Sequence, residues 1–589
     1  MKQFQKYGVA AAVASVATGV VATEVSKNEA GDLAIVPYYT VLDGKNTGLH
    51  IINTTDSTQV VKVRLRRGAD SKDALDFNLV MSPYDEWTAN IGAGGDTGVQ
   101  VTTNDTTCTV PEFPNGVAQM PGAFAEGATE GYVEIIGMAE AYSELQSLAV
   151  YAKHKNGVPV SCALVREHFY RVAKADYADP YVAGVHKSSL SSGGYCSVTA
   201  ASTTANACYR TASGTANAAS AAAATNLVNY IDTTDDALKV SWMVTDSTGG
   251  LEVGDNAVMV EGFASSPMLT NQQPLVFDTS GYLTYDPLNF ELPNLAYGAW
   301  VSNSTDATLG DRSPASTITN GSMFDNLRKA LDADALINDW AAFEAADGST
   351  VATDWVVTLP GQYAMSTPMC DFYGAYAKAS TAMACVKAAT ATKPGYVTAT
   401  DLDKDELPLI VSGVDGNAYN SAKSNLVVWD REEDDQAPET TPSKPALGFS
   451  PSGDGEVAGA KRYLWREVNV ISFNDGDVLG SADLQSLDGT GYGLRAVVEV
   501  PDAEKGWAAM EIQKSNATPQ RWVPTTQDDD SAINPNTLGS DPDNWGSFTA
   551  VQDASATMAI GFAAWERSFA DQAGNYGRAV EHTTVSSLR

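Results

Sequence analysis

Apolar and polar residues alternate along most of this chain with a period of two. In Val61-Lys62-Val63-Arg64-Leu65-Arg66 every second residue is aliphatic and the rest are basic, the pattern of a half-buried strand. Leu75, Phe77, Leu79 and Met81 repeat it, with Asp76 and Asn78 between them. Turn chemistry separates these runs: Asp43-Gly44, Asn53-Thr54-Thr55-Asp56 and Ser82-Pro83-Tyr84-Asp85. Short strands at this spacing predict antiparallel sandwiches or barrels. Further strands are expected at 238–244, 257–263, 354–359, 467–473, 494–500, 507–512 and 559–565. One stretch reads differently. Phe324, Leu327, Leu331, Leu336 and Trp340 recur at roughly helical spacing and predict a helix over 323–345. The expected fold is mainly β: multiple antiparallel β-sandwich domains, Ig-like or jelly-roll-like, with one or two short helices.

The pattern also divides the chain. Lys2 and Lys6, the small apolar run 7–21 and Val20-Val21-Ala22 have the order of a signal peptide over 1–22. The run is too short for the ~20 residues of a spanning helix. An N-terminal β-sandwich is expected at 23–185. Residues 186–226, rich in Ser, Ala and Thr, read as a disulfide-tied insert with too little apolar surface for its own core. A β continuation follows at 227–320, then a helix plus β segment at 321–430. The acidic, Pro-rich stretch 431–460 reads as a linker or loop, and 461–589 as a C-terminal β domain.

Several phrases occur together and in order. They are Gly31-Asp32 through Pro37-Tyr38-Tyr39-Thr40-Val41, Leu75-Asp76-Phe77 through Trp87-Thr88, and Gly131-Tyr132-Val133-Glu134-Ile135-Ile136. Later come Asp354-Trp355-Val356-Val357, Asp430-Arg431-Glu432-Glu433, and Glu467-Val468-Asn469-Val470-Ile471 through Leu479-Gly480-Ser481. With these the chain resembles a family of large secreted cell-surface proteins of Gram-negative proteobacteria, S-layer-like or described as hypothetical. The resemblance implies a surface location and brings no reaction, substrate or catalytic residue.

Charge narrows the partners. Against 37 basic residues stand 72 acidic ones, a net charge of -35. Such a surface repels nucleic acid and anionic lipid. Its carboxylates stay solvated, as in a salty habitat, or gather divalent cations; outside a cell calcium is the natural ion. Asp401, Asp403 and Asp405 stand at the first, third and fifth positions of a calcium loop, but Glu406 occupies the place of the turn glycine. Asp475 and Asp477, in Asn474-Asp475-Gly476-Asp477, are further candidate ligands, though that run reads first as a hairpin turn.

The six cysteines, Cys108, Cys162, Cys196, Cys208, Cys370 and Cys385, read as disulfides in an exported chain, paired between neighbours. The five histidines, His50, His154, His168, His186 and His582, form no close metal-binding pair and read as isolated surface or turn residues. No GxSxG elbow is present. Gly92–Gly98 is glycine-rich but lacks the lysine of a phosphate loop. Trp87, Trp355 and Trp507 lie in strand-like runs and are expected in the core.

These readings predict a non-enzymatic, secreted surface protein. The leading expectation is a self-assembling subunit of an S-layer, sheath or filament, stabilised by calcium. The alternatives are an adhesin or polysaccharide-binding matrix protein, which exposed aromatic pairs on one sheet face would favour, and an extracellular hydrolase.

Overall fold

The computed structural model describes, with short interruptions, residues 23–166, 230–268, 323–361, 422–436, 462–513 and 558–586, together with a few short strands and single residues between them. Among the described residues the protein is mostly β, with three short helices.

In the first half the chain runs through β1 (Leu33–Thr40), β2 (Lys45–Asn53), β3 (Gln59–Arg67), β4 (Asp73–Met81), β5 (Glu86–Gly94), β6 (Gly98–Thr102), β7 (Cys108–Val110) and β8 (Glu130–Ala141). After helices α1 (Ser147–Ala152) and α2 (Cys162–Arg166) come β9 (Leu238–Asp246), β10 (Glu252–Asn256) and β11 (Val258–Glu261). Two sheets result. The main strands of sheet I have the order β11-β1-β8-β3-β4-β7, and those of sheet II the order β10-β9-β2-β5-β6; short strands pair at their margins. Val61, Val63, Phe77, Leu79 and Val133 from sheet I meet Leu49, Ile51, Trp87, Ile91 and Val240 from sheet II in one core.

Strand β3 departs from the half-buried expectation. It is covered on both faces, and Lys62, Arg64 and Arg66 are buried. Arg64 Nη2 lies 3.0 Å from Asp76 Oδ2, and Arg66 Nε 3.2 Å from Glu134 Oε1. Acids from both neighbouring strands thus compensate the cations, so the polar phase of the pattern does not mark solvent. At one end of this face α1 and α2 pack Leu148, Ala152 and Val165 over Val60, Val80 and Met138. A disulfide joins Cys108 to Cys162 there.

The second half begins with α3 (Met323–Ala330) and β12 (Ala335–Ala341). The single helix expected over 323–345 is therefore a helix followed by a strand. Leu336 and Trp340 are four residues apart, a spacing that fits one helix face and, equally, alternate positions of a strand. In the structure β12 pairs β17 over its whole length. The main strands that follow are β13 (Ser349–Thr358), β14 (Ala422–Asp430), β15 (Val468–Phe473), β16 (Arg495–Val498), β17 (Lys505–Gln513), β18 (Ile560–Phe569), β19 (Tyr576–Glu581) and β20 (Thr583–Val585).

Sheet III runs β16-β15-β13-β18-β19 and sheet IV runs β14-β17-β12-β20. Strands from before and after 431–460 alternate in sheet IV, and in sheet III β13 lies between β15 and β18 from after it. The strands of 461–589 thus share sheets with earlier ones and do not form a β domain of their own, and Asp435–Gln436, inside 431–460, pairs with β14. Strand β16 runs parallel to β15, so Asn474–Asp477 opens a crossover loop and not the expected hairpin.

Leu336, Trp340, Trp355, Leu426, Phe473, Met510 and Ile512 fill the core between sheets III and IV. The other face of sheet III presents Val356, Val470, Phe562 and Ala564 to the first core. Trp242 of β9 packs against Phe562 with ring centroids 4.7 Å apart. The backbone closes the seam: Thr358 Oγ1 donates to the Pro37 carbonyl at 2.6 Å, and Val468 N to the Gly68 carbonyl at 2.9 Å. Sheet III is therefore an internal layer, and the two sandwiches share it.

Because the seam is part of a core, the two sandwiches are expected to melt together. Phe562→Ala removes a ring 2% exposed at that seam and should cost about 3–5 kcal/mol. Calorimetry of the wild type should show one transition, which this variant moves down as a whole. Two transitions, only one of them shifted, would refute the shared core.

Candidate functional site

Two places concentrate chemistry among the described residues. The first is the seam between the sandwiches. Asp354 projects from β13 and is fully buried. Its Oδ2 accepts the backbone N–H groups of Val478 at 2.8 Å and Leu479 at 2.9 Å, and its Oδ1 accepts Ser472 Oγ at 2.6 Å. Glu130, at the start of β8 in the other sandwich, accepts Tyr38 Oη at 2.5 Å and the N–H of Ala482 at 3.2 Å. One loop, 476–483, is thus gripped by a carboxylate from each half. Gly480 lies in it at φ 63°, pressed so close to Asp43 and Lys45 that a Cβ would collide with them.

Burial pushes the Asp354 carboxyl up to about 7, against the pull of its hydrogen bonds from Ser472, Leu479 and Val478. Burial likewise raises Glu130 to about 7, opposed by its hydrogen bonds, including those from Tyr38 and Ala482. The nearby charge of Asp477 adds to both shifts. These oxygens are aimed at backbone N–H and hydroxyl groups and sealed from water. They hold a loop.

Asp477, a candidate calcium ligand, serves that loop. It accepts the N–H of Gly480 at 2.8 Å and pairs with Arg495 Nη1 at 3.3 Å. Arg495 also grips Asp483 at 2.8 Å. Asp401, Asp403, Asp405 and Asp475 lie outside the described residues, as do Cys196, Cys208, Cys370 and Cys385. Among the described residues no group of three or more His, Cys, Asp or Glu side chains is placed to hold a metal ion.

His582 is not the surface residue expected of it. It is buried beside Trp355, with Nε2 3.0 Å from the Val356 carbonyl and Nδ1 3.0 Å from Asn338 Nδ2. Burial lowers its pKa to about 3, so the ring is neutral, donating from Nε2 and accepting at Nδ1.

The second place is the outer face of sheet IV. Trp87 and Trp355 are core residues as expected, but Trp507 is 37% exposed. It stands directly across from Trp429 on β14, and the indoles stack with centroids 3.9 Å apart at 11°. On the other side its strand partner is the exposed Asp339 of β12. Lys505 and Glu511 are exposed in the same phase of β17, whereas Ala508, Met510 and Ile512 face the core. The sequence carried the signal: in Lys505-Gly506-Trp507-Ala508-Ala509-Met510-Glu511-Ile512, the tryptophan shares its phase with the two charges.

An open groove of about 750 Å³ crosses the outer face of sheet II, lined by His50, Ser241, Met243 and Arg578 among others. His50 Nε2 approaches Glu86 to 3.4 Å, but among the described residues no hydrogen bond joins His50 to Ser241. Comparison with protein-family models, curated proteins and solved structures finds no match.

The seam carboxyls give a defined pH dependence. Each has a folded pKa above its unfolded value, so the folded state binds more protons between about pH 4 and 7. Their contribution is full below the unfolded pKa and is lost as pH rises through about 7. Melting temperature should therefore fall between pH 5 and 8. Asp354→Asn, which can still accept both N–H groups, should flatten this slope. The change is a few kcal/mol at most, since each tenfold difference in proton affinity between folded and unfolded chain is worth about 1.4 kcal/mol. An unchanged slope in this variant would refute the assignment.

Proposed function

We propose that the protein is a secreted, non-enzymatic component of a bacterial cell surface that binds polysaccharide on the outer face of sheet IV. The observation that carries this reading is the stacked pair Trp429–Trp507 on a regular sheet face, Trp507 exposed and Trp429 half-buried. Large aromatic surfaces are costly to leave in water and are normally buried. On a flat face, indole rings suit the apolar C–H surface of a pyranose, while Asp339 and Lys505 at the rim suit its hydroxyls. The charge of -35 disfavours polyanions and points to neutral polymers. The stacked pair thus shifts the weight from self-assembly, the leading expectation of the sequence, to binding.

Binding is tested by retention on insoluble neutral polysaccharides such as cellulose and chitin. Wild type should be retained, and Trp507→Ala should weaken retention about tenfold or more. The residue is partly exposed, so its loss should cost no more than about 1 kcal/mol of stability. Equal retention of the variant, or none of the wild type on any neutral polymer, would contradict the reading.

A second reading, self-assembly, is favoured by β20. Among the described residues this strand pairs only with β12, and Val585 is 45% exposed. Such an edge can accept a strand from another copy, with calcium between facing carboxylates of the copies. In negative-stain electron microscopy this reading expects sheets or filaments with calcium that dissolve in chelator. Single particles in both conditions would remove it.

A further inference from the structure

The buried face of sheet I brings together three side chains of complementary reactivity. Lys62, Asp76 and Asn78 are 0%, 3% and 0% exposed. In the register of β3 with β4, Lys62 stands opposite Asn78 and Arg64 opposite Asp76. Directly opposed residues project to the same face with Cβ atoms about 5 Å apart. Lys62 Nζ lies 3.9 Å from Asp76 Oδ2. Among the described residues neither Oδ1 nor Nδ2 of Asn78 has a hydrogen-bond partner, although both atoms are buried. Leaving such a carboxamide unsatisfied costs on the order of 1–3 kcal/mol, so its presence in a packed strand calls for a cause. Val110 is its partner on β7, and Val60, Val80 and Met138 belong to the apolar cluster of this face.

We propose that Lys62 and Asn78 are joined by an intramolecular isopeptide bond, with Asp76 carrying the protons. Asp76 takes a proton from the Lys62 ammonium, and the neutral amine attacks Cγ of Asn78. The attacking nitrogen sheds a second proton as the tetrahedral carbon collapses and the Cγ–Nδ2 bond breaks. Both protons leave on Nδ2 as ammonium. One amide forms, one ammonium ion departs, and no oxidant or cofactor takes part. Asp76 is assigned as the base and Asn78 as the acceptor because Asp76 lies 3.0 Å from Arg64 and 3.9 Å from Lys62, and a carboxylate paired with cations resists attack where a carboxamide does not. The apolar surroundings exclude the water that would compete for the same carbon. The product ties β3 to β4, two strands in the middle of sheet I, on the face that carries the Cys108–Cys162 disulfide.

Mass spectrometry of the intact, reduced protein tests this directly, followed by tryptic mapping. Trypsin cuts at Arg64, Arg66, Arg67 and Lys72, between the two residues. The expected result is a chain lighter by one ammonia and a branched peptide holding both Lys62 and Asn78. In Asp76→Asn the full mass should return. Separate peptides with Lys62 free overturn the proposal, even if Asn78 alone has lost ammonia by closing on its own backbone. A chain lighter by one water would place the bond on Asp76 and overturn it too. Persistence of the branched peptide in Asp76→Asn would overturn the role given to Asp76.

Discussion

Asp354 and Glu130 grip one loop from opposite sides, and the relation between the two sandwiches depends on that grip. A carboxyl in a dry seam is stable only when its oxygens are satisfied, and here the partners are backbone N–H groups of 478, 479 and 482. The loop joins β15 to the parallel strand β16. Fixing it closes the edge of sheet III against β1, β2 and β8. The seam is then sealed by Val356, Phe562 and Trp242, which could not pack if the loop were free to swing. Strand β15 and the later part of β13 are thereby dry on both faces, and are nearly continuous in apolar or internally bonded residues.

The fold class was legible because period-two alternation is a local property. Strands such as 75–81 and 507–512 could be read from a few residues. What could not be read depends on partners far along the chain. The basic residues of β3 look solvated until Asp76 and Glu134 arrive from the neighbouring strands. Leu336 and Trp340 satisfy both periods, and only the pairing of β12 with β17 decides between them. The stretch 431–460 resembles a linker by composition, while β14 and β17, on either side of it, are hydrogen-bonded neighbours. The indole pair was half visible. Trp507 shares its phase with Lys505 and Glu511, but its contact with Trp429 spans residues that only the sheet brings together.

The same contrast separates structure from function here. Groups that are buried and satisfied, such as His582 and Asp354, explain how the layers meet and offer nothing to a ligand. The outer face of sheet IV is the reverse case, since the Trp429–Trp507 stack lies outside the core and leaves Trp507 exposed. The Lys62–Asn78 pair stands between them, buried yet not satisfied by hydrogen bonds. Dry, cross-braced layers beneath it give the outer face of sheet IV a rigid support.

The claim that the seam holds the molecule together is tested most directly by native-state hydrogen exchange at the amides of Val478 and Leu479. If Asp354 and the shared core fix this loop, both amides should be protected nearly as well as Val356 in β13, and their protection should weaken as pH rises past 7. Exchange at the rate of an open surface loop, at any pH where β13 is still protected, would contradict that claim.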